Sequence, residues 1–122
     1  MKRKVEFRGK EKLTGRWAFG DLVHYPQETL TGPLSRVTVG SYEVDPETIG
    51  QFTGLKDKNG EEIYEGDLLL EIESEKVVCI EWDEFEYGYR YVKNNYGYKY
   101  PNHVENFKII GNIYDNPKLS EL

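Results

Sequence analysis

Asp57-Lys58-Asn59-Gly60 makes the chain reverse direction within four residues, and the rest of the sequence is built around reversals of that kind. Asn-Gly favours positive φ at both central positions of a two-residue loop, so the segment predicts a type I′ hairpin. Glu65-Gly66-Asp67 then re-aims the chain into Leu68-Leu69-Leu70-Glu71-Ile72. Alternation there predicts Leu68, Leu70 and Ile72 on one face, with Glu71 and Glu73 on the other. The run from Lys76 to Trp82 puts Val78, Ile80 and Trp82 together on one strand face, and Glu75-Lys76 is the tight turn before it. Asn59, Gly60, Gly66 and Asp67 are accordingly read as structural turn residues.

Further short runs carry the same grammar. Val5 and Phe7 alternate with charged neighbours, Trp17, Phe19 and Leu22 surround Gly20, and Arg36 to Gly40 alternates again. Gln27 to Pro33, rich in Thr, Gly and Pro, reads as a loop. Asp45-Pro46-Glu47-Thr48 has the order of a helix start, with Asp as N-cap and Pro first, but Gly50 and Gly54 leave room for about one turn. Tyr-Gly-Tyr-Arg-Tyr at 87–91 and Tyr-Gly-Tyr-Lys-Tyr at 96–100 flank Lys93-Asn94-Asn95 and predict a hairpin. A last strand begins at Phe107 and runs to Ile113, before Asn116-Pro117. Short strands, Gly-rich turns and little helical periodicity predict an all-β chain, either a small barrel or a sandwich.

Composition limits the functions this fold could serve. With 122 residues the chain has room for one domain, or a domain and a subdomain. The net charge of −6 disfavours non-specific binding to nucleic acid. The charge is uneven, however: Lys2 to Arg16 is basic, while Glu81 to Glu86 is acidic and aromatic. No run approaches the roughly 18 apolar residues of a membrane span, and charges break up the N-terminus where a secretory leader would need an apolar stretch. The expectation is an intracellular protein that does not engage membranes.

Candidate chemistry is sparse. Asp57, Asn59 and Gly60 do not fit a calcium loop, which needs Gly sixth and Glu twelfth; Leu68 stands twelfth from Asp57. His24, Cys79 and His103 are too scattered for a zinc site, so no metal and no cofactor are expected. Cys79 lies in the apolar run Val77-Val78-Cys79-Ile80 and reads as a buried, inert thiol. No catalytic constellation emerges, and the expectation is that the protein is not an enzyme. The sharpest surface candidate is Trp82 with Tyr87, Tyr89, Tyr91, Tyr96, Tyr98 and Tyr100, accompanied by Arg90, Lys93 and Lys99. Three readings stand open for it: a cross-strand aromatic ladder that steadies the hairpin, a protein interface, and a base-stacking platform. The acids from Glu81 to Glu86 would repel phosphates, which places protein above nucleic acid as the partner.

The segment from Gln51 to Gly60, followed by Ile63-Tyr64-Glu65-Gly66-Asp67, resembles the YopX family of phage and prophage proteins. The tail Ile110-Gly111-Asn112-Ile113-Tyr114-Asp115-Asn116-Pro117 is similar to that family's closing signature. Phe7-Arg8-Gly9-Lys10, Thr14-Gly15, Trp17, Gly20-Asp21 and Val44 to Thr48 resemble its N-terminal part, while the stretch from about Ser74 to Val104 varies widely within it. The resemblance implies an oligomerising N-terminal β part over 1–49 and a C-terminal SH3-like β-barrel over 50–122. It also implies a homo-oligomer in the cytoplasm of a bacterial host, with a host or phage protein as possible partner. It transfers no activity and no residue roles. The expected function is that of a self-associating, non-enzymatic interaction module. The alternatives are a single-stranded nucleic-acid-binding barrel, using the hairpin tyrosines and the basic N-terminus, and an unrecognised hydrolase or metal enzyme.

Overall fold

The computed structural model describes residues 4–30, 32–83, 88–93, 96–97 and 106–121. Among them the chain is all-β: every regular element is a strand or a 3-10 turn. The chain divides into two compact units, Met1–Gln51 and Phe52–Leu122.

In the first unit, β1 (Phe7–Lys10) and β2 (Trp17–Gly20) form an antiparallel hairpin, with Lys10 opposite Trp17. The start of β6 (Gly50–Lys56) pairs with the other edge of β1 through Gly50 and Gln51. A three-stranded sheet follows the order β3 (Leu22–Thr29), β4 (Gly32–Val39), β5 (Tyr42–Glu43). Ala18, Val39 and Val44 form the core, with Phe7, Val37 and Ile49 packed around it. Gly9 lies against Val44, where a Cβ would come within 3.0 Å. The expected helix start is a 3-10 turn, Pro46–Thr48, whose N-cap Asp45 accepts the Glu47 N–H at 3.1 Å. Thr48 fastens that turn to β1: its Oγ1 donates to the Asp45 carbonyl at 2.7 Å and accepts the Lys10 N–H at 2.8 Å.

Residues 27–33 were expected to be a loop, and here the structure differs. Residues 27–29 continue β3 and 32–33 open β4, in one register running from Leu22↔Val39 to Thr29↔Gly32. Hydrogen-bond phase explains how Pro26 and Pro33 fit. The Gly40 N–H donates to the Asp21 carbonyl at 3.0 Å, so Asp21/Gly40 is a hydrogen-bonded pair and every second pair after it bonds in the same way. Pro26/Ser35 and Glu28/Pro33 fall on the intervening pairs. Each proline nitrogen therefore points away from the partner strand, where no donor is missed.

The second unit holds the sheet order β11 (Tyr96–Gly97), β10 (Gly88–Lys93), β9 (Val77–Asp83), β8 (Asp67–Glu71), β12 (Phe107–Asn112). From Phe52 onward β6 pairs with β7 (Glu62–Tyr64), with an irregularity between Phe52 and Lys56. Ile63, Leu69, Val78, Ile80 and Phe107 form the core, joined by Leu55 and Ile109. Among the described residues β11 and β12 end the sheet without pairing to each other, so these pairings do not draw the closed SH3-like barrel implied by the resemblance.

The Leu68–Ile72 run departs from simple alternation. Leu69, expected on the glutamate face, is fully buried in the core; Leu68 is buried as well, and Ile72 is 40% exposed. β8 lies between β9 and β12, and the burial of both Leu68 and Leu69 shows that its two faces are covered there; such a strand carries apolar residues consecutively. The turn from Glu71 to Lys76 closes as expected, with the Glu71 N–H donating to the Lys76 carbonyl at 2.8 Å. It holds Glu75 at φ +59, a conformation costly for any residue with a Cβ. Glu75→Gly is therefore expected to raise stability by about 0.5–1 kcal/mol, read as a higher urea midpoint at unchanged slope.

Candidate interaction surface

The stretches that looked most distinctive in sequence turn out to hold the fold together. Asp57 is 6% exposed, and its carboxylate accepts three backbone N–H groups: Asn59 at 2.8 Å and Glu61 at 2.9 Å on Oδ1, and Ile109 at 2.9 Å on Oδ2. The Lys58 N–H donates to the Phe107 carbonyl at 3.0 Å, so this turn seals an otherwise open edge of β12. The type I′ geometry expected for Asn59-Gly60 is not adopted. Gly60 alone has positive φ, +81, and its N–H closes the turn onto the Asp57 carbonyl. The Asp57 side chain holds Asn59 in an Asx-type turn, which needs no left-handed residue there.

Gly66 and Asp67 anchor the next reversal. Gly66, at φ +93, donates to the Ile80 carbonyl at 2.8 Å and accepts the Ile113 N–H at 3.0 Å. Asp67 is buried and accepts the Tyr64 N–H at 2.7 Å. The closing signature is a side-chain-capped turn: Asn112 Oδ1 accepts the N–H groups of Tyr114 and Asp115 at 3.0 and 2.9 Å, and its Nδ2 donates to Asp115 Oδ2 at 3.1 Å. Each of these polar groups is used in building a turn.

Where the two arms of the tyrosine repeat are described, they pair antiparallel, with Val92 opposite Gly97 and Lys93 opposite Tyr96. Tyr89 stands opposite Trp82, and Tyr91 opposite the buried Ile80. Trp82 is 40% exposed. Tyr87, Tyr98, Tyr100, Lys99 and His103 lie outside the described residues, and Tyr89, Tyr91 and Tyr96 are described as backbone positions only.

Among the described residues, no group of three or more His, Cys, Asp and Glu side chains is placed to hold a metal ion. Cys79 is partly buried, and its Sγ lies 3.7 Å from the Ile80 carbonyl oxygen. Burial first, and then the charges of Glu81, Asp67 and Glu65, push its thiol up to about 12 from an ordinary 9.0. The folded thiol is therefore a weak nucleophile at neutral pH and should react with Ellman's reagent far more slowly than the same thiol in urea. The sign for stability follows directly: this contribution is intact below about pH 9 and is lost as pH rises toward 12, because the unfolded thiol ionises first. Comparing the alkaline limb of the parent with that of Cys79→Ala isolates it.

The β3–β4 arm carries a run of exposed apolar residues. All of residues 21–26 are exposed, including Leu22 at 38%, Val23 at 37% and Tyr25 at 42%, and Leu30 at its tip is fully exposed. The Arg36 guanidinium stacks 5.1 Å from the centre of the Tyr25 ring. Eight-residue strands make a ribbon about 26 Å long, and a two-stranded ribbon alone in water is marginally stable. Reading residues 27–33 as a loop concealed this surface. One sequence signal could have found it: residues 22–39 carry only Glu28 and Arg36 as full charges, in a chain that is 31% charged.

Four basic residues near the N-terminus are engaged within the same unit. Arg8 and Lys10 lie 4.6 and 5.7 Å from the Trp17 ring centre, and Lys4 and Lys12 pair with Glu6 and Glu43 at 3.2 and 3.5 Å.

Residues 6–121 match the family described as YopX protein. The crystal structure of protein EF1440 from Enterococcus faecalis aligns with a TM-score of 0.62 and 22% identity, over 98% of this chain and 100% of that one. At that identity the likeness is one of fold alone. No curated protein matches the chain.

Proposed function

The chain belongs to the YopX family, and from that premise we propose that it is a phage or prophage accessory protein, non-enzymatic, that acts as a self-associating protein-interaction module. The observation that carries this reading is the β3–β4 arm, which exposes Leu22, Val23, Tyr25 and Leu30 along a ribbon that a partner would stabilise. The phage setting and a place in the host cytoplasm rest on the family; no helix among the described residues is long and apolar enough to cross a membrane. Sedimentation velocity on the full chain at micromolar concentrations should give a mass above 14.3 kDa that falls on dilution. A strict monomer across that range would remove the self-association.

Single-stranded nucleic acid is the weaker reading. Of the N-terminal cations it would use, Arg8 and Lys10 are stacked on Trp17, and Lys4 and Lys12 are paired with Glu6 and Glu43. Labelled oligonucleotides should give no rise in anisotropy even at low salt, where phosphate binding is strongest.

A further inference from the structure

Resting on the self-association reading, we infer that the arm engages a second copy of this chain through one sheet face, with the stacked Tyr25–Arg36 pair as its hot spot, and not by strand addition at the edge of β3. The hydrogen-bond phase separates the two faces of the ribbon. Directly opposed residues share a face, so Leu22, His24 and Pro26 lie with Val39, Val37 and Ser35, while Val23 and Tyr25 lie with Thr38 and Arg36. The first face is occupied at its base by the unit's own core, where Val39 is fully buried and Val37 packs beside it. Leu22, His24 and Pro26 are exposed further along it, whereas the second face, with Val23 and Tyr25 exposed, contributes no residue to that core.

That second face has the composition of an interface centre. Tyr and Arg are the residue types most enriched at binding hot spots, and here the cation–π contact at 5.1 Å holds both side chains in place before any partner arrives.

Charge identifies the occupant. The chain carries −6, so most self-contacts bring like charges together. Residues 22–39 are balanced, Glu28 against Arg36, and two copies can meet there without that repulsion.

The edge of β3 is poorly made for strand addition. The outward-facing positions on β3 are Leu22, His24, Pro26 and Glu28, and Pro26 offers no N–H in the middle of that row. Strand addition needs a continuous series of backbone hydrogen bonds.

Sedimentation equilibrium of the full chain, with circular dichroism to verify folding, separates the cases. Tyr25→Ala should raise the self-dissociation constant by at least about 30-fold, and Val23→Glu should act in the same direction. Tyr25→Phe keeps the stacked ring and should hold the constant within about threefold. His24→Pro removes a second outward N–H and should leave assembly at the level of His24→Ala. The inference is overturned if Tyr25→Ala and Val23→Glu assemble like the parent, or if His24→Pro dissociates where His24→Ala does not. A monomeric parent would instead defeat the self-association reading itself.

Discussion

Replacing Asp57 with alanine is expected to remove about 3–5 kcal/mol of stability, a large share of the roughly 5–15 kcal/mol that holds a typical domain together. The carboxylate accepts three backbone N–H groups, at 2.8, 2.9 and 2.9 Å, from a position only 6% exposed. Hydrogen bonds to a charged acceptor contribute about 1.5–3 kcal/mol each, and three on one side chain do not simply add. Asn59 and Glu61 sit at the turn, where water can replace the lost acceptor. Ile109 packs against the core, so its N–H would be left partly buried without a partner. Asp57→Asn should cost less, about 2 kcal/mol, because one oxygen can still serve the turn while its amide group faces the Ile109 donor. Urea unfolding at constant slope would measure both. A loss under about 1 kcal/mol for Asp57→Ala would mean that the edge of β12 is held by something other than this turn.

Asp57 also shows how far a sequence of this kind can be read. Asp-Lys-Asn-Gly announces a reversal through local chemistry, and a reversal forms there. The turn's contact with Ile109, 52 residues further along, has no local signal, and it ties the turn to the edge of β12. The tyrosine repeat signals a reversal in the same local way, and among the described residues Val92 and Lys93 pair with Gly97 and Tyr96, while Tyr89 and Tyr91 pair with β9.

Segment 27–33 resembles a loop in composition alone, through its Thr, Gly and Pro. Their effect depends on register: a proline is a strand breaker on a bonded pair and harmless on the next one. Register is set by the pairing of Leu22 with Val39 at the base of the arm, which composition does not report. The interaction surface shared that fate. Exposure of Val23 and Tyr25 is a property of the arm standing clear of its unit's core, while their residue types alone would suit a buried strand equally well.

Leu69→Ala is expected to cost about 3–4 kcal/mol, among the largest effects available to a single truncation in this chain. Alternation assigned Leu69 to the face of Glu71 and Glu73, which would make its loss nearly silent. In the structure its side chain is fully buried against Ile63, Val78, Ile80 and Phe107, and β8 has hydrogen-bonded neighbours on both sides that restrict collapse around a cavity. Leu68 is 1% exposed on the opposite face, across from Cys79, and Leu68→Ala should cost nearly as much. Ile72 follows the end of β8 and is 40% exposed, so Ile72→Ala should cost under about 1 kcal/mol. The ranking is the test, because it does not depend on the absolute scale of any one value. If Ile72→Ala matched Leu69→Ala, the alternating face would be the buried one and β8 would be covered on a single side. If Leu69 and Leu68 both far exceed Ile72, the strand is enclosed on two faces, as the packing of its neighbours requires.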